Sequence, residues 1–161
     1  MNKNQGLPWD NPRFKNWIAV ARASQLIHQN LGRALARLDI KVPHLDILAN
    51  LYRFEGISQQ DLAHKLLVGR SNISMLLPQI EKRGLIVRRK DKTDKRVLRL
   101  YLTEKGREIT LEALAIELEL IEHSMSTTSI EECNFVGDVM NRMVQRMNGW
   151  VLERETGTDD T

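Results

Sequence analysis

Residues 94–106, DKRVLRLYLTEKG, alternate with period two: Leu98, Leu100 and Leu102 fall on one side, Val97, Arg99, Tyr101 and Thr103 on the other. That is the pattern of a β-ribbon with one buried face. The run LIVRRK, residues 85–90, can supply the partner strand, and DKTDK, residues 91–95, a polar turn between them. Within residues 82–107 eleven Lys or Arg stand against three acids, a net of +8 in a chain of formal charge +3. Neutralising the phosphates of a duplex with Lys and Arg releases counterions and gives sequence-independent affinity. Basic runs are also common on solvated surfaces, so the charge alone leaves a phosphate-binding hairpin and a wet surface hairpin both open.

The preceding residues 58–84, SQQDLAHKLLVGRSNISMLLPQIEKRG, favour the first. Ser58 and Asp61 form a capping box for a short helix with Leu62, Ala63, Leu66 and Leu67 on one face. Val68 and Gly69 break it. A second helix is expected from about Arg70, with Ile73, Leu76, Leu77 and Ile80 facing inward and Gly84 ending it. Arg70, Ser71, Asn72, Ser74 and Met75 are left outward near its N-terminus, where a recognition helix meets base edges. The residue types suit base reading, since Asn pairs with adenine and Arg with guanine in bidentate fashion, Ser serves either, and Met offers apolar contact.

With helix-turn-helix and wing in this order, residues 42–106 resemble the winged helix-turn-helix domain of the MarR (multiple antibiotic resistance regulator) family of bacterial transcription factors. The residues carrying the likeness are Glu81, Gly84 and Leu85, then Arg88 or Arg89, then Asp94 with Arg96, then Leu102, Thr103 and Gly106. The resemblance implies a mainly α fold with a small antiparallel β-wing, the winged core being flanked by N- and C-terminal dimerisation helices. It further implies a homodimer on double-stranded DNA, most often a repressor. A small aromatic or anionic ligand in a crevice beside the dimerisation helices would release it, with Trp17, His28, His44, Leu48 and Tyr52 as lining. Arg89, Lys92, Lys95 and Arg96 are then the wing residues held against phosphates and the minor groove, with Asp94 orienting the Arg96 guanidinium or stabilising its own turn. Thr103 is expected to cap the helix that follows, and Gly106 to mark a close approach of the chain.

Two positions depart from the family pattern. Pro78 lies inside the recognition helix, where it removes a backbone bond and predicts a kink. Gly69, at the expected N-cap of that helix, supplies no side-chain acceptor.

Long apolar stripes flank the core. Phe14, Trp17, Ile18, Ala21, Ile27, Leu31, Leu35 and Leu38 mark a helix within residues 10–40, after a Pro-containing arm. Leu111, Leu114, Leu118, Ile121 and Met125 recur at spacings of three and four, as do Val136, Met140, Met143, Met147 and Trp150 behind a Ser129–Glu132 capping box. Residues 10–40 and 104–152 are therefore expected to join two copies. The two recognition helices would then require a pseudo-palindromic site with half-sites about 10 bp apart. From Glu104 onward thirteen acids face five bases, a net of −8, which suits a segment kept off DNA.

A chain of 161 residues with 42% hydrophobic content is expected to be one domain. MNKNQGLPWD has no apolar leader core and no stretch reaches membrane-spanning length, so the cytosol is the expected location. The tail TGTDDT is expected to be disordered. No Gly-rich phosphate loop, nucleophile elbow or carboxylate pair suggests an enzyme or a cofactor. His28, His44, His64 and His123 lack metal-ligand spacing, so no metal is expected. Cys133, early in the last helix, is either an inert small residue or a redox sensor, the helix end lowering its pKa and Glu131 and Glu132 raising it. An adaptor using the winged region to hold an acidic protein is the alternative of another class.

Overall fold

The computed structural model describes residues 6–66 and 70–156, with the side chains of all of these except 70–72, 148, 149 and 151–156. It comprises two compact units, Met1–Leu120 and Ile121–Thr161. After a 3-10 turn at Pro8–Asp10 the order is α1 (Phe14–Leu35), a 3-10 turn at Ala36–Leu38, α2 (Val42–Arg53), α3 (Gln59–Lys65), α4 (Arg70–Lys82), β1 (Ile86–Lys90), β2 (Leu98–Leu102), α5 (Glu104–Met125) and α6 (Ile130–Thr156). This is a winged helix-turn-helix, mainly helical with one two-stranded antiparallel sheet. Leu67, the Val68–Gly69 break, the proposed Gly69 cap and the tail beyond Thr156 lie outside the described residues.

The core of the first unit follows the apolar periodicity. From α2 come Leu45, Ile47, Leu48 and Leu51, from α3 Leu62, from α4 Ile73, Leu77 and Ile80, and from the wing Leu85, Ile86 and Leu100, all fully buried. Ser58 caps α3 by accepting the Asp61 N–H at 3.0 Å. The Asp61 carboxylate accepts from the Ser58 hydroxyl at 2.7 Å, not from the Ser58 N–H of the expected box. α4 runs as one helix through Pro78. It ends as a Schellman motif: Gly84, at φ +70°, donates to Glu81 O at 2.8 Å and Leu85 donates to Ile80 O at 3.2 Å.

In the wing Arg88 pairs with Leu100, and Val87 with Tyr101, so one face carries Ile86, Leu100 and Leu102 into the core. The α2–α3 connection also engages β2. Gly56 donates to Leu100 O at 2.9 Å and Leu100 donates back to Ile57 O at 3.0 Å, with a bridge between Ser58 and Arg99. Gly56 takes φ +79° under the Tyr101 ring, a conformation strained for any other residue.

β2 passes into α5 through Thr103. Its N–H donates to Leu85 O, its hydroxyl donates to Gly84 O at 2.7 Å, and the same oxygen accepts the Gly106 N–H at 2.9 Å. The buried side of α5 is Gly106, Thr110, Ala113 and Ile116, the first three small enough to let the helix approach closely. Of the row read from sequence only Leu114 packs against the core; Leu111, Leu118, Ile121 and Met125 are exposed. α1 is likewise buried only at its end, by Leu31 and Leu35, and leaves Trp17, Leu26 and Ile27 exposed.

In the second unit, α6 opens with the reciprocal capping box. Ser129 N–H donates to the Glu132 carboxylate at 2.8 Å and Glu132 N–H to the Ser129 hydroxyl at 3.2 Å. Ile130, Phe135, Val136, Val144, Met147 and Trp150 are exposed along this helix.

Candidate nucleic-acid interface

The +8 of residues 82–107 is not all available to a partner. Arg83 is bound to Asp39 and to Leu38 O, Arg88 to Glu81, Lys105 to Arg83 O, and Arg107 to Glu55. Arg99 donates to Asp91 at 2.5 Å and to Gly56 O at 3.1 Å, tying the wing to the α2–α3 connection. These five cations build the winged domain. Exposed at or near the hairpin tip remain Lys90, Lys92, Lys95 and Arg96, and Arg89 stands 5.1 Å from the centre of the Tyr101 ring.

Two aspartates shape the tip. Asp91 accepts the N–H of Thr93 at 2.8 Å and of Asp94 at 3.1 Å besides the Arg99 guanidinium. Arg99 first, then these N–H groups, hold its carboxyl far below the usual range. Asp94 accepts from Arg96 three times: Nε to Oδ1 at 3.1 Å, a terminal nitrogen to Oδ2 at 3.2 Å and the backbone N–H at 3.0 Å. This fork lowers the Asp94 pKa and sets the guanidinium, whose side chain is 91% exposed, in one orientation. An exposed pair of this kind adds little to stability. Its effect is to hold a charged plane at the tip.

On α4, Met75 is exposed, and Ser74 accepts from Gln59 of α3 at 3.3 Å, so the two helices of the motif meet at the proposed reading end. The side chains of Arg70, Ser71 and Asn72 lie outside the described residues. Pro78 is exposed between the buried Leu77 and Ile80. Its ring nitrogen leaves Ser74 O without a helical donor, while the Gln79 carboxamide donates to the neighbouring Met75 O at 3.2 Å. Asp91, Glu81, Arg88 and Arg99 position this surface. Of these four, only the Glu81 and Arg88 positions stand out in the sequence, as part of the family pattern.

The five residues assigned to one crevice are divided in the structure. Leu48 is fully buried core. Trp17 lines a shallow hollow with Pro8, Arg13 and Phe14. Tyr52 is exposed, with the Arg107 guanidinium 5.5 Å from its ring centre. His44 is buried and lines a different cavity, and His28 is exposed on α1. Near His28 the electrostatics are acidic. Burial raises the pKa of Asp46 on α2, against the pull of His28, and burial together with the Asp46 charge raises that of Glu117 on α5.

A raised folded-state pKa means that ionised Glu117 is less favourable in the folded than in the unfolded chain. Its cost is present above the raised pKa and vanishes in acid, where both states are protonated. Glu117→Gln should therefore raise the melting temperature by about 2 °C near pH ~8. The gain should disappear below the ordinary value of 4.5. A gain that persisted at low pH would show that the carboxylate is not its source.

Among the described residues no group of three His, Cys, Asp or Glu is placed to hold a metal. Cys133 is a free, half-buried thiol on α6. No helix of the described residues is long and apolar enough to cross a membrane.

Residues 38–97 match the model of the MarR family. The chain is 29% identical over 144 residues to the uncharacterised HTH-type transcriptional regulator YdgJ of Bacillus subtilis, covering 83% of this chain and 88% of YdgJ. It is 29% identical over 135 residues to the transcriptional repressor MprA of Escherichia coli, covering 81% of this chain and 70% of MprA. Its structure is similar to that of S. aureus MepR in complex with DNA, with a TM-score of 0.75 and 25% identity over 80% of this chain and 96% of MepR. The segment that holds the helix-turn-helix and the Asp-x-Arg tip of the wing thus matches the MarR family of transcriptional regulators, and the fold around it is similar to that of a DNA-bound regulator.

Proposed function

We propose that the protein is a homodimeric, sequence-specific repressor that leaves a pseudo-palindromic operator when it binds a small molecule. Residues 42–106 form the DNA-binding core, and residues 10–40 and 104–152 join the two copies. In each half-site Arg70, Ser71, Asn72, Ser74 and Met75 read the major groove. Arg89, Lys92, Lys95 and Arg96 hold the wing on phosphates and the minor groove, with Asp94 orienting Arg96. The observation that carries this reading is the Asp94–Arg96 fork, which fixes an exposed guanidinium at the tip of a wing whose Arg88 and Arg99 are spent on the fold. MprA is a repressor and MepR binds DNA, which supports repression and DNA as partner. A ligand could release the operator only by binding the DNA-incompetent arrangement more tightly.

The testing experiment is selection of a randomised duplex library at near-physiological salt. Enrichment of a two-fold symmetric motif supports the proposal. Binding without a motif removes sequence-specific repression, and failure to bind duplex DNA, with retention of an acidic protein instead, favours the adaptor. Once a site is known, Arg96→Ala should weaken binding about tenfold across sequences and lower the slope of log affinity on log salt by about one per wing. An unchanged salt slope would take Arg96 off the phosphates.

A further inference from the structure

The end of α1, the α1–α2 elbow and the second half of α4 surround an open cavity of about 470 Å³. Gly32, Ala36, Ile40 and Val42 give it an aliphatic wall, and Lys41, Arg83 and His44 a basic one, with Asp39 and Gln79 at its margin. None of Trp17, His28, Leu48 or Tyr52 lines it.

His44 is the telling residue. It is only 5% exposed, and its Nε2 is the one buried side-chain nitrogen or oxygen among the described residues that lacks a hydrogen-bond partner. An orphaned buried polar atom is costly, so native structures rarely leave one without a use. Its character follows from the other edge of the ring. The Lys41 N–H donates to Nδ1 at 3.4 Å, which makes Nδ1 the acceptor and places the proton of the neutral imidazole on Nε2. Burial, Lys41 and Arg83 keep the ring below the ordinary histidine value, against the pull of Gln79 and Asp39, so it is a neutral donor at physiological pH. The Gln79 side chain is the neighbouring acceptor that pulls on the ring, but it does not reach hydrogen-bond geometry with Nε2, which is left without a well-placed acceptor.

The surrounding charges say which kind. The amino group of Lys41 makes no ion pair among the described residues and stands at the N-terminus of the twelve-residue α2. Arg83 is a fixed cation, anchored to Leu38 O at 3.0 Å and to Asp39 at 3.4 Å. A helix N-terminus, a mobile ammonium and a buried N–H together favour an anion. The surroundings of His28, where Asp46 and next to it Glu117 stand, would repel one. The Gln79 side chain lies next to His44 but turns its amide to Met75 O, and it is exposed enough to move aside.

We propose that this cavity is a binding site for a small aliphatic carboxylate, whose oxygen accepts the His44 Nε2–H beside Lys41 and Arg83 while its hydrocarbon lies on Ile40, Val42 and Ala36. Gln79 belongs to α4, the helix that carries Ser74 and Met75, and Arg83 directly follows it, so an occupant touches the recognition helix directly. That consequence rests on the ligand-release reading above; the site itself does not.

The test is titration of the full-length protein with cyclohexanecarboxylate, followed by the His44 ring ¹⁵N–¹H resonances and by calorimetry, with cyclohexanecarboxamide as the neutral match. Saturable binding that shifts the Nε2 resonance and raises the titration midpoint of His44 is expected, with the amide binding at least about tenfold more weakly. Lys41→Ala, at an exposed position, should weaken the acid about fivefold and leave the amide unchanged. His44→Phe should abolish the distinction between acid and amide. An unmoved His44 resonance at about 20 mM acid, or equal binding of acid and amide to the parent, overturns the site. Measuring operator affinity in the same samples separates the two readings. Occupancy at His44 without loss of DNA binding keeps the site and removes release through it, whereas release by an effector that leaves His44 unmoved keeps release and removes the site.

Discussion

Gly106→Ala should destabilise the first unit by at least about 3 kcal/mol, enough to leave most small domains marginal. A Cβ at Gly106 would lie 1.8 Å from Leu85 O and 2.8 Å from Leu85 C, a collision with backbone and not with the end of a flexible chain. Neither side can yield cheaply. Leu85 is fully buried at the start of the wing and its carbonyl accepts the Thr103 N–H at 3.0 Å. Gly106 is held by its own bond to the Thr103 hydroxyl and by the bond from Thr110 Oγ1 to Gly106 O at 2.6 Å. Separating α5 from Leu85 by the ångström or more that a methyl needs would break this joint and lift α5 from the core. Urea denaturation of the parent and the variant gives the number. Gly137→Ala is the control, since a Cβ there meets nothing within 4 Å in the interior of α6, and about 0.5–1 kcal/mol of stabilisation is expected. A Gly106→Ala protein within 1 kcal/mol of the parent would mean that the joint is looser than its geometry.

The glycine shows which parts of the fold are open to inspection in the sequence. Its position after Leu102-Thr103 marks a close approach, and the alternation of Leu98, Leu100 and Leu102 marks the buried face of β2, because both follow from local rules of period and conformation. The third edge of the wing is not visible there. Gly56, Ile57 and Ser58 join β2 through one bridge and two backbone bonds, too short a segment to carry an alternating pattern of its own. The inner face of α5 escapes for a different reason. Apolar periodicity picks out Leu111, Leu114, Leu118, Ile121 and Met125, of which only Leu114 packs against the core, whereas the buried residues are Gly106, Thr110, Ala113 and Ile116. At Gly106, Thr110 and Ala113 close packing selects small side chains, which a hydrophobicity count passes over.

The candidate site is legible in its composition but not in its division of labour. Eleven cations in one window read as one basic surface, yet Arg83, Arg88, Lys105, Arg107 and Arg99 have partners 7 to 52 residues away in sequence. Such pairings depend on the register of the hairpin and the packing of α2, which no local window contains. Asp94 and Arg96, two residues apart, are the exception, and their pairing can be argued from spacing alone. Lys41, Arg83 and His44 come together from the α1–α2 elbow, the end of α4 and α2, and only the folded chain puts the orphaned imidazole beside two cations.

In the homodimer proposed above, Leu118→Glu should leave the chain folded but separate the two copies and lower the affinity for a two-fold operator by at least a hundredfold. Leu111 and Leu118, one heptad apart on α5, are 48% and 54% exposed in the single chain, and Ile121 and Met125 continue the row. A row of half-exposed aliphatic side chains on one helix face is what a second copy would cover, and in a two-fold interface each residue counts twice. Burying half a leucine stabilises by about 1 kcal/mol. Replacing it on both subunits with a carboxylate that must be desolvated costs several times that, so a rise of at least about a thousandfold in the dimer dissociation constant is expected. The folded monomer should tolerate the change, since Leu118 is more than half exposed and not one of the core residues; unchanged far-ultraviolet dichroism checks this. Sedimentation equilibrium reads the assembly and fluorescence anisotropy on the selected duplex reads the affinity. Glu119→Gln, also exposed on α5, is the control and should alter neither. A parent that sediments as a monomer at about 50 μM, or a Leu118→Glu variant that stays dimeric, would assign the row to some other partner and leave the two-fold operator without a cause.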